Sequence, residues 1–225
     1  METTNTFSLL EMFNLGGIFM WPLLAFSVAT ISIGLERLIY FLYHSLKMND
    51  ITLKATDFIS NNDYKGAVEY LEPLTKRQMG ARVLLAIFKR SSPFSEHHVE
   101  KAAETEAMIC INSLEKGFSF LVALGSLSPL TGFLGTVSGM IGAFRSIAEA
   151  TEVNAQIVAN GIYEALITTV FGLVIAIFAM VFHSIFSNIS DRFIADVEKN
   201  CSNIIAEISE QQLKLNMKAG DNEAG

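Results

Sequence analysis

The stretch that decides the fold is Gly117–Phe144, GFSFLVALGSLSPLTGFLGTVSGMIGAF, which has no charged residue in 28 positions. A helix needs about 20 apolar residues to cross the hydrocarbon core of a bilayer, so this stretch predicts a transmembrane helix. Two further blocks have the same character. Gly16–Tyr43 carries charges only at Glu36 and Arg37, and Ala165–Phe186 carries none. We therefore predict an all-α membrane protein with three transmembrane helices.

The composition of the 225-residue chain excludes several other classes of protein. Four Pro, two Cys and 15 Gly do not fit a collagen-like chain or a disulfide scaffold. A net charge of −7 argues against a nucleic-acid partner. Residues 1–16 contain no Lys or Arg, and the apolar run that follows is too long for a signal peptide. We expect the first block to remain as a membrane anchor.

The distribution of Lys and Arg predicts the orientation. Residues 1–16 have none, residues 44–116 have ten, the connection after the second block has only Arg145, and the tail after residue 186 has four. Cytoplasmic segments carry the excess of Lys and Arg in membrane proteins. The counts therefore predict an external N-terminus, with the large loop and the C-terminal tail in the cytoplasm.

These observations predict seven segments along the chain. They are a periplasmic N-terminal interfacial helix at 1–15, transmembrane helix 1 at 16–43, a cytoplasmic helical domain at 44–116, transmembrane helix 2 at 117–146, a periplasmic loop at 147–160, transmembrane helix 3 at 161–187, and a cytoplasmic helical extension with a disordered tail at 188–225.

Capping residues and prolines divide the cytoplasmic loop into helices. Asp50, Asp63 and Ser95 are suitable N-caps, and Pro73 and Pro93 interrupt the helical pattern. A further helix is expected over Met79–Lys89. No breaker lies between Ser95 and Gly117, so we expect the last of these helices to run directly into transmembrane helix 2.

Small residues recur at helical spacing in both later spans. In transmembrane helix 2 they are Gly125, Ser128, Gly132, Gly135, Gly139 and Gly142, and in transmembrane helix 3 they are Ala165, Thr169, Gly172, Ala176 and Ala179. Seams of small residues let helices approach closely within a bilayer. Tight helix packing alone is sufficient to explain the glycines and alanines.

The polar residues beside these seams suggest a function. Thr136 lies next to the first seam, and Thr168 and Thr169 lie at the second. A threonine can simply hydrogen-bond its own helix. Glu164 stands where the third helix begins, and an ionisable residue at membrane depth indicates a functional site. The alternative for Glu164 is an interfacial position in contact with water.

Several motifs together resemble the MotA/TolQ/ExbB proton-channel family. In the second span they are Leu114-Glu115-Lys116-Gly117 and the run LGTVSGMIGAF at 134–144, and in the third they are YEALITT at 163–169 with Gly172-Leu173 and Ala176-Ile177. Trp21-Pro22 and Glu36-Arg37-Leu38 in the first span match as well. Three spans with one large cytoplasmic loop resemble the TolQ/ExbB branch, because the MotA branch has four spans.

This resemblance implies a homopentamer in the bacterial inner membrane, with no cofactor and no enzymatic activity. The second and third helices would line a central pore and extend into the cytoplasm. A single-span partner resembling TolR or ExbD, usually a dimer, would sit in the pore and supply the aspartate that carries protons. Proton flow would then drive mechanical work on the cell envelope or outer-membrane transport.

The resemblance also implies roles for individual residues. Thr136 and Thr169 would be polar groups facing the pore near the partner aspartate, and Glu164 would be the pore-facing acid toward the periplasm. Thr168 would add a hydroxyl beside Glu164. Phe178 stands where many relatives carry Pro, so the third helix is expected to be straighter here.

Other functions have weaker support in the sequence. An intramembrane serine protease could use Ser138 and His183, but the two residues are expected at different depths. His97, His98 and Glu100 would not converge on one face of a helix as metal ligands do. A structural scaffold without ion conduction would keep the seams and would need neither Glu164 nor Thr169. The residues leave open TolQ-type against ExbB-type function, and H⁺ against Na⁺.

Overall fold

The structure is a computed structural model that describes residues 9–91, 95–149 and 155–223. These residues form eight α-helices: α1 (Leu9–Leu15), α2 (Met20–Tyr43), α3 (Asn49–Ser60), α4 (Tyr64–Leu74), α5 (Met79–Lys89), α6 (Glu96–Leu114), α7 (Phe118–Glu149) and α8 (Ala155–Glu223). Three segments are long and apolar enough to cross a membrane, and they lie within Met20–Tyr43, Glu96–Glu149 and Val158–Leu215. The predicted all-α fold with three candidate spans is confirmed.

Local sequence signals fix most of the short helices. Asp63 is the N-cap of α4, where its carboxylate accepts a hydrogen bond from the Gly66 N–H at 2.9 Å. Helix α5 covers the predicted range Met79–Lys89. Helix α4 passes through Pro73 and ends one residue later. Ser95 occupies the N-cap position of α6, but its side chain makes no capping hydrogen bond.

The expectation of one continuous helix from Ser95 into the second span is wrong. Helix α6 ends at Leu114 and α7 begins at Phe118. Between them, Gly117 has a φ of +90°, which is a left-handed conformation that glycine adopts readily and other residues rarely do. The helix therefore stops three residues before the membrane segment begins.

Arg37 of helix α2 caps the end of α6. Its side chain is buried, and Nη1 donates hydrogen bonds to the carbonyl oxygens of Ser113 at 2.8 Å and Leu114 at 3.4 Å. The guanidinium also lies 4.8 Å from the centre of the Tyr40 ring. The last carbonyl groups of a helix have no partner within the helix, so Arg37 satisfies two of them from a position 76 residues away.

The ends of α7 and α8 differ from the expected segment boundaries. Helix α7 continues to Glu149 and α8 begins at Ala155, so the described parts of the expected loop at 147–160 are mostly helical. Helix α8 runs without interruption past Phe178 and ends at Glu223, within the segment for which the sequence predicts a disordered tail. Residues 1–8, 150–154 and 224–225, and the predicted interruption at Pro93, lie outside the described residues.

The chain divides into two compact units. The first unit contains residues 1–36 and 117–185, and the second contains residues 37–116 and 186–225. In the first unit, Met20, Leu23, Ile167 and Ile175 form a buried cluster. Large side chains such as Phe133 and Phe144 are more than 60% exposed there. An apolar exterior of this extent is typical of a surface that faces lipid or another chain.

The second unit has a hydrophobic core of its own, centred on helix α5. Val83, Leu84 and Ile87 of α5 are fully buried, and Phe193 and Ile204 of α8 belong to the same cluster. An ion pair between Arg82 and Glu106, at 2.6 Å, joins α5 to α6 beside this core. The segment between the first two spans is thus a folded helical unit rather than a linker.

We expect Arg37→Gln to lower the thermal stability of the protein, because the carbonyl groups at the end of α6 would lose a buried, charged donor. Hydrogen bonds to charged groups contribute about 1.5–3 kcal/mol. Helix melting followed by circular dichroism in detergent measures the change. Arg90→Gln is the matched control, since Arg90 is exposed. Equal melting temperatures for the two variants would contradict the capping role of Arg37.

Candidate functional site on helices α7 and α8

The backbones of α7 and α8 approach each other at two glycines. A Cβ atom added to Gly132 would lie 2.8 Å from the carbonyl oxygen of Thr168 and 3.0 Å from the Cα of Thr169. A Cβ added to Gly172 would lie 3.3 Å from the Cα of Gly132. All three distances are shorter than ordinary van der Waals contact, so only glycine fits at these two positions in the observed packing.

Most of the other small residues of the two seams lie at the same contact. Ser128 is fully buried and donates to its own helix at Leu124 O, at 2.6 Å. Gly125 faces Met180, Gly139 faces Ala165, and Ala176 is buried. Gly142 differs from the other glycines, because an added Cβ would meet no atom within 4 Å. The seam therefore packs against α8 as far as Gly139 and is open at Gly142.

The two adjacent threonines of α8 lie against this contact. The Thr168 hydroxyl is 2.7 Å from the carbonyl oxygen of Ala165 and 3.2 Å from that of Gly132, and it can donate to either. The Thr169 hydroxyl also donates to Gly132 O, at 3.3 Å. Thr169 is half-buried, whereas Thr168 is only 1% exposed and is enclosed between the helices. Thr168, which the family resemblance places among the pore-lining residues, thus lies at the contact between α7 and α8 within this chain.

Thr136 lies on α7, one residue after Gly135. It is half-buried, and its hydroxyl donates to Phe133 O at 2.6 Å. Gly135 faces the Thr168 side chain, so Thr136 is placed at the margin of the helix contact rather than inside it. A hydroxyl that donates to its own helix still has lone pairs that can accept a hydrogen bond.

Glu164 lies near the start of α8, beside the turn that precedes α2. Gly17 in that turn has a φ of +67°, and a Cβ added to it would clash with Oε1 of Glu164. In the sequence, the adjacent Gly16 and Gly17 indicate a turn at this point, but nothing in their position indicates a contact with Glu164. Glu164 also borders a cavity of 470 Å³ that is lined in addition by Ser138, Ser146, Asn160 and Tyr163. The carboxylate is thus at a polar recess and not in the apolar middle of the helix.

The structure separates the residues of the serine-protease alternative. The His183 ring lies 5.8 Å from the ring of Phe118, at the start of α7. Ser138 lies 20 residues further along the same helix, which corresponds to about 30 Å. A general base must be within hydrogen-bonding reach of its nucleophile. Ser138 and His183 therefore do not form a catalytic pair within this chain.

The arrangement of polar groups limits what α7 and α8 can do alone. The described residues 118–144 and 165–182 contain no ionisable side chain. The hydroxyls of Thr136, Thr168 and Thr169 donate to backbone carbonyls. Glu164 is one acid at one end of the apolar stretch. Glu164 can take up a proton, but the middle of these helices offers hydroxyls and no ionisable side chain to carry it further.

Comparisons with known proteins agree on one family. A model of the MotA/TolQ/ExbB proton channel family matches residues 75–199. The chain is 28% identical over 191 residues to the ExbB-like 3 protein of Synechocystis sp., a match that covers 84% of this chain and 90% of the relative. It is 34% identical over 185 residues to the ExbB-like 1 protein of the same organism, covering 79% and 70%. It is 42% identical over 81 residues to the Tol-Pal system protein TolQ of Pseudomonas aeruginosa, covering 36% and 35%.

We expect Gly132→Ala to destabilise the protein and Gly142→Ala to leave it as stable as the parent or more so. Alanine is favoured over glycine in a helix by about 0.5–1 kcal/mol. At Gly132 this gain would be outweighed by overpacking against the α8 backbone, which typically costs about 1–3 kcal/mol. Thermal melting in the same detergent compares the two variants. A Gly132→Ala protein that melts at or above the temperature of Gly142→Ala would contradict the observed helix contact.

Proposed function

Because the chain belongs to the ExbB/TolQ branch of the MotA/TolQ/ExbB proton channel family, we propose that it is an inner-membrane motor subunit. It converts the proton motive force into mechanical work on the cell envelope or into outer-membrane transport. Its N-terminus is periplasmic. Helices α2, α7 and α8 contribute the three spans, and the last part of α8 extends into the cytoplasm.

The observation that carries this proposal is the uncharged middle of α7 and α8. Burying a charge at the centre of a bilayer is costly, so membrane proteins keep ionisable residues there only where function needs them. This chain has hydroxyls at that level and an acid only at one end. A TolR/ExbD-like single-span subunit supplies the missing ionisable group. Two copies of this subunit form a dimer inside a homopentamer of the present chain.

Thr136 and Thr169 have the roles of pore-lining hydroxyls in this assembly. Both are half-buried within a single chain, so each keeps a surface that another chain can contact. Their oxygen atoms can accept a hydrogen bond from a protonated carboxyl group of the partner. Thr168 stays enclosed at the α7–α8 contact and holds the two helices together.

Glu164 has the role of the acid at the periplasmic end of the pathway. The cavity that it borders contains hydroxyl and amide groups, which can hold water. The segments assigned to the periplasm, together with the adjoining ends of the spans, carry Glu2, Glu11, Glu149, Glu152 and Glu164 but only Arg145 as a cation. An excess of negative charge raises the local concentration of cations, so this face favours proton entry.

We expect Glu164→Gln and Thr169→Ala to reduce proton flux to the level of vesicles without the partner. Thr136→Ala should reduce it as well, while Thr169→Ser, which keeps the hydroxyl, should retain it. The measurement is acidification of proteoliposomes that hold this chain with its co-purified single-span partner. The matched controls are Thr131→Ala, since Thr131 also donates to its own helix at Leu127 O, and Glu149→Gln, since Glu149 pairs with the neighbouring Arg145.

The same variants separate the motor from a structural scaffold. A scaffold would tolerate the loss of Glu164 and Thr169 as well as it tolerates the control substitutions. Full flux and full activity of both variants in cells would overturn the proposed channel roles. Repeating the assay with a sodium gradient distinguishes Na⁺ from H⁺ as the coupling ion.

We expect native mass spectrometry of the purified chain to give a species of five times 24.7 kDa. Adding the single-span partner should increase this mass by two partner copies. A chain that stays monomeric in detergent and in nanodiscs would overturn the proposed architecture.

A further inference from the structure

A groove runs between α6 and α8 on the surface of the second unit. It encloses 660 Å³, and its floor is formed by small or apolar side chains that include Ala103, Ala107, Val197 and Cys201. These four side chains are buried or half-buried. Met108 lies at the edge of the groove and is 61% exposed.

The rim of this groove is acidic. Glu96, Glu100 and Glu104 follow each other at four-residue spacing along α6, and Glu198 faces them from α8. All four are exposed. Glu104 pairs with Lys101 of its own helix at 3.6 Å. Within residues 9–91, 95–149 and 155–223, no ion pair engages Glu96, Glu100 or Glu198.

Two basic residues, Arg192 and Lys199, lie on a face of α8 that also carries Asp196 between them. Arg192 and Lys199 are seven positions apart, which brings them within about 20° of each other around the helix and about 10 Å apart along it. Both are exposed, and neither forms an ion pair with another described residue. Their separation resembles the distance of about 12 Å between Glu96 and Glu104 along α6.

We propose that the α6–α8 groove of one copy of this chain binds the Arg192–Lys199 face of α8 in the next copy. The aliphatic stems of Arg192 and Lys199 lie over the alanines of the floor, and their charged ends reach the glutamates of the rim. Long basic side chains commonly bury their stems on apolar surfaces in this way. The inference rests on the proposed homopentamer and identifies a contact that closes its ring outside the membrane.

The groove and the basic stripe are distinct sets of residues with complementary charge, and they meet only where Lys199 lies near Ala206 on α8. A groove on one face that binds a basic stripe on another face makes a heterologous contact, which leaves each copy with one free groove and one free stripe. Every groove and every stripe is occupied only when the ring of copies closes. A cationic helix of an unrelated protein could also fit the groove, but this chain itself carries the unpaired cations at matching spacing.

Photo-crosslinking in membrane vesicles tests the contact with the full chain. A photoreactive amino acid replaces Met108 at the edge of the groove, and a second version replaces Leu53, an exposed residue of α3 outside the groove. We expect Met108 to give products of two or more chains whose linked peptide contains Arg192 or Lys199, and Leu53 not to give that peptide. Linkage of Met108 to a different protein, or to another part of this chain, would overturn the proposal.

Charge-swap variants test whether the ionic contacts hold the groove in place. Glu100→Lys with Glu198→Lys, or Arg192→Glu with Lys199→Glu, should lower the Met108 crosslink yield about tenfold, and all four changes together should restore it. The control pair Asp57→Lys and Glu69→Lys makes the same change in charge on α3 and α4 and should have no effect. Circular dichroism of each variant verifies that it is folded.

The outcomes separate this inference from the proposed function. A wild-type chain that is monomeric by native mass spectrometry would overturn the pentamer and the inference together. A wild-type pentamer in which the two charge reversals leave the crosslink unchanged, or in which the combined variant does not restore it, would overturn the inference alone.

Discussion

The close approach of α7 and α8 at Gly132 and Gly172 is the contact on which the membrane part of this protein depends. In lipid there is no hydrophobic force that drives one apolar helix onto another, so association relies on close packing and polar contacts between helices. The glycines remove the side chains that would keep the backbones apart. The carbonyl oxygen of Gly132 is thereby brought within reach of the hydroxyls of Thr168 and Thr169. The close helix packing and the hydrogen bonds of the two threonines thus both involve Gly132.

The second constraint is the cost of charge inside the membrane. The chain keeps the middle of its spans uncharged and places Glu164 at a polar recess near one end. This arrangement avoids the cost of burying a charge, but it provides no ionisable side chain between the ends of α7 and α8. The membership of the chain in the MotA/TolQ/ExbB proton channel family and this physical limit lead to the same proposal of a shared pore.

The second unit is stabilised in a different manner, by a buried core around α5 and by charges at its surface. Arg37 belongs to the same unit and stabilises the point at which α6 ends, before α7 begins. Its guanidinium supplies the donors that the last carbonyls of α6 lack, while Gly117 takes the backbone conformation that a turn requires. A break at this point lets α6 and α7 take separate roles, one in each unit.

Local patterns in the sequence were sufficient to predict most of the helices and the three candidate spans. Capping at Asp63, the range of α5, and the uncharged runs around Gly117–Phe144 and Ala165–Phe186 all depend on residues that are close together in the chain. The spacing of the small residues likewise indicated which faces of α7 and α8 could pack. The family resemblance was also recognisable from motifs within single helices.

Contacts between residues far apart in the chain could be decided only by the tertiary structure. The cap that Arg37 places on α6 spans 76 positions, and the Gly17–Glu164 contact joins the start of α2 to the start of α8. Periodicity could not show that Thr168 is enclosed while Thr169 remains half-buried, nor that the seam is open at Gly142, because a helical repeat defines a face but not which of its residues meet the facing helix. The sequence by itself determined which residues are able to meet, and the tertiary structure decided which of them do, since burial and clash depend on the position of the second helix.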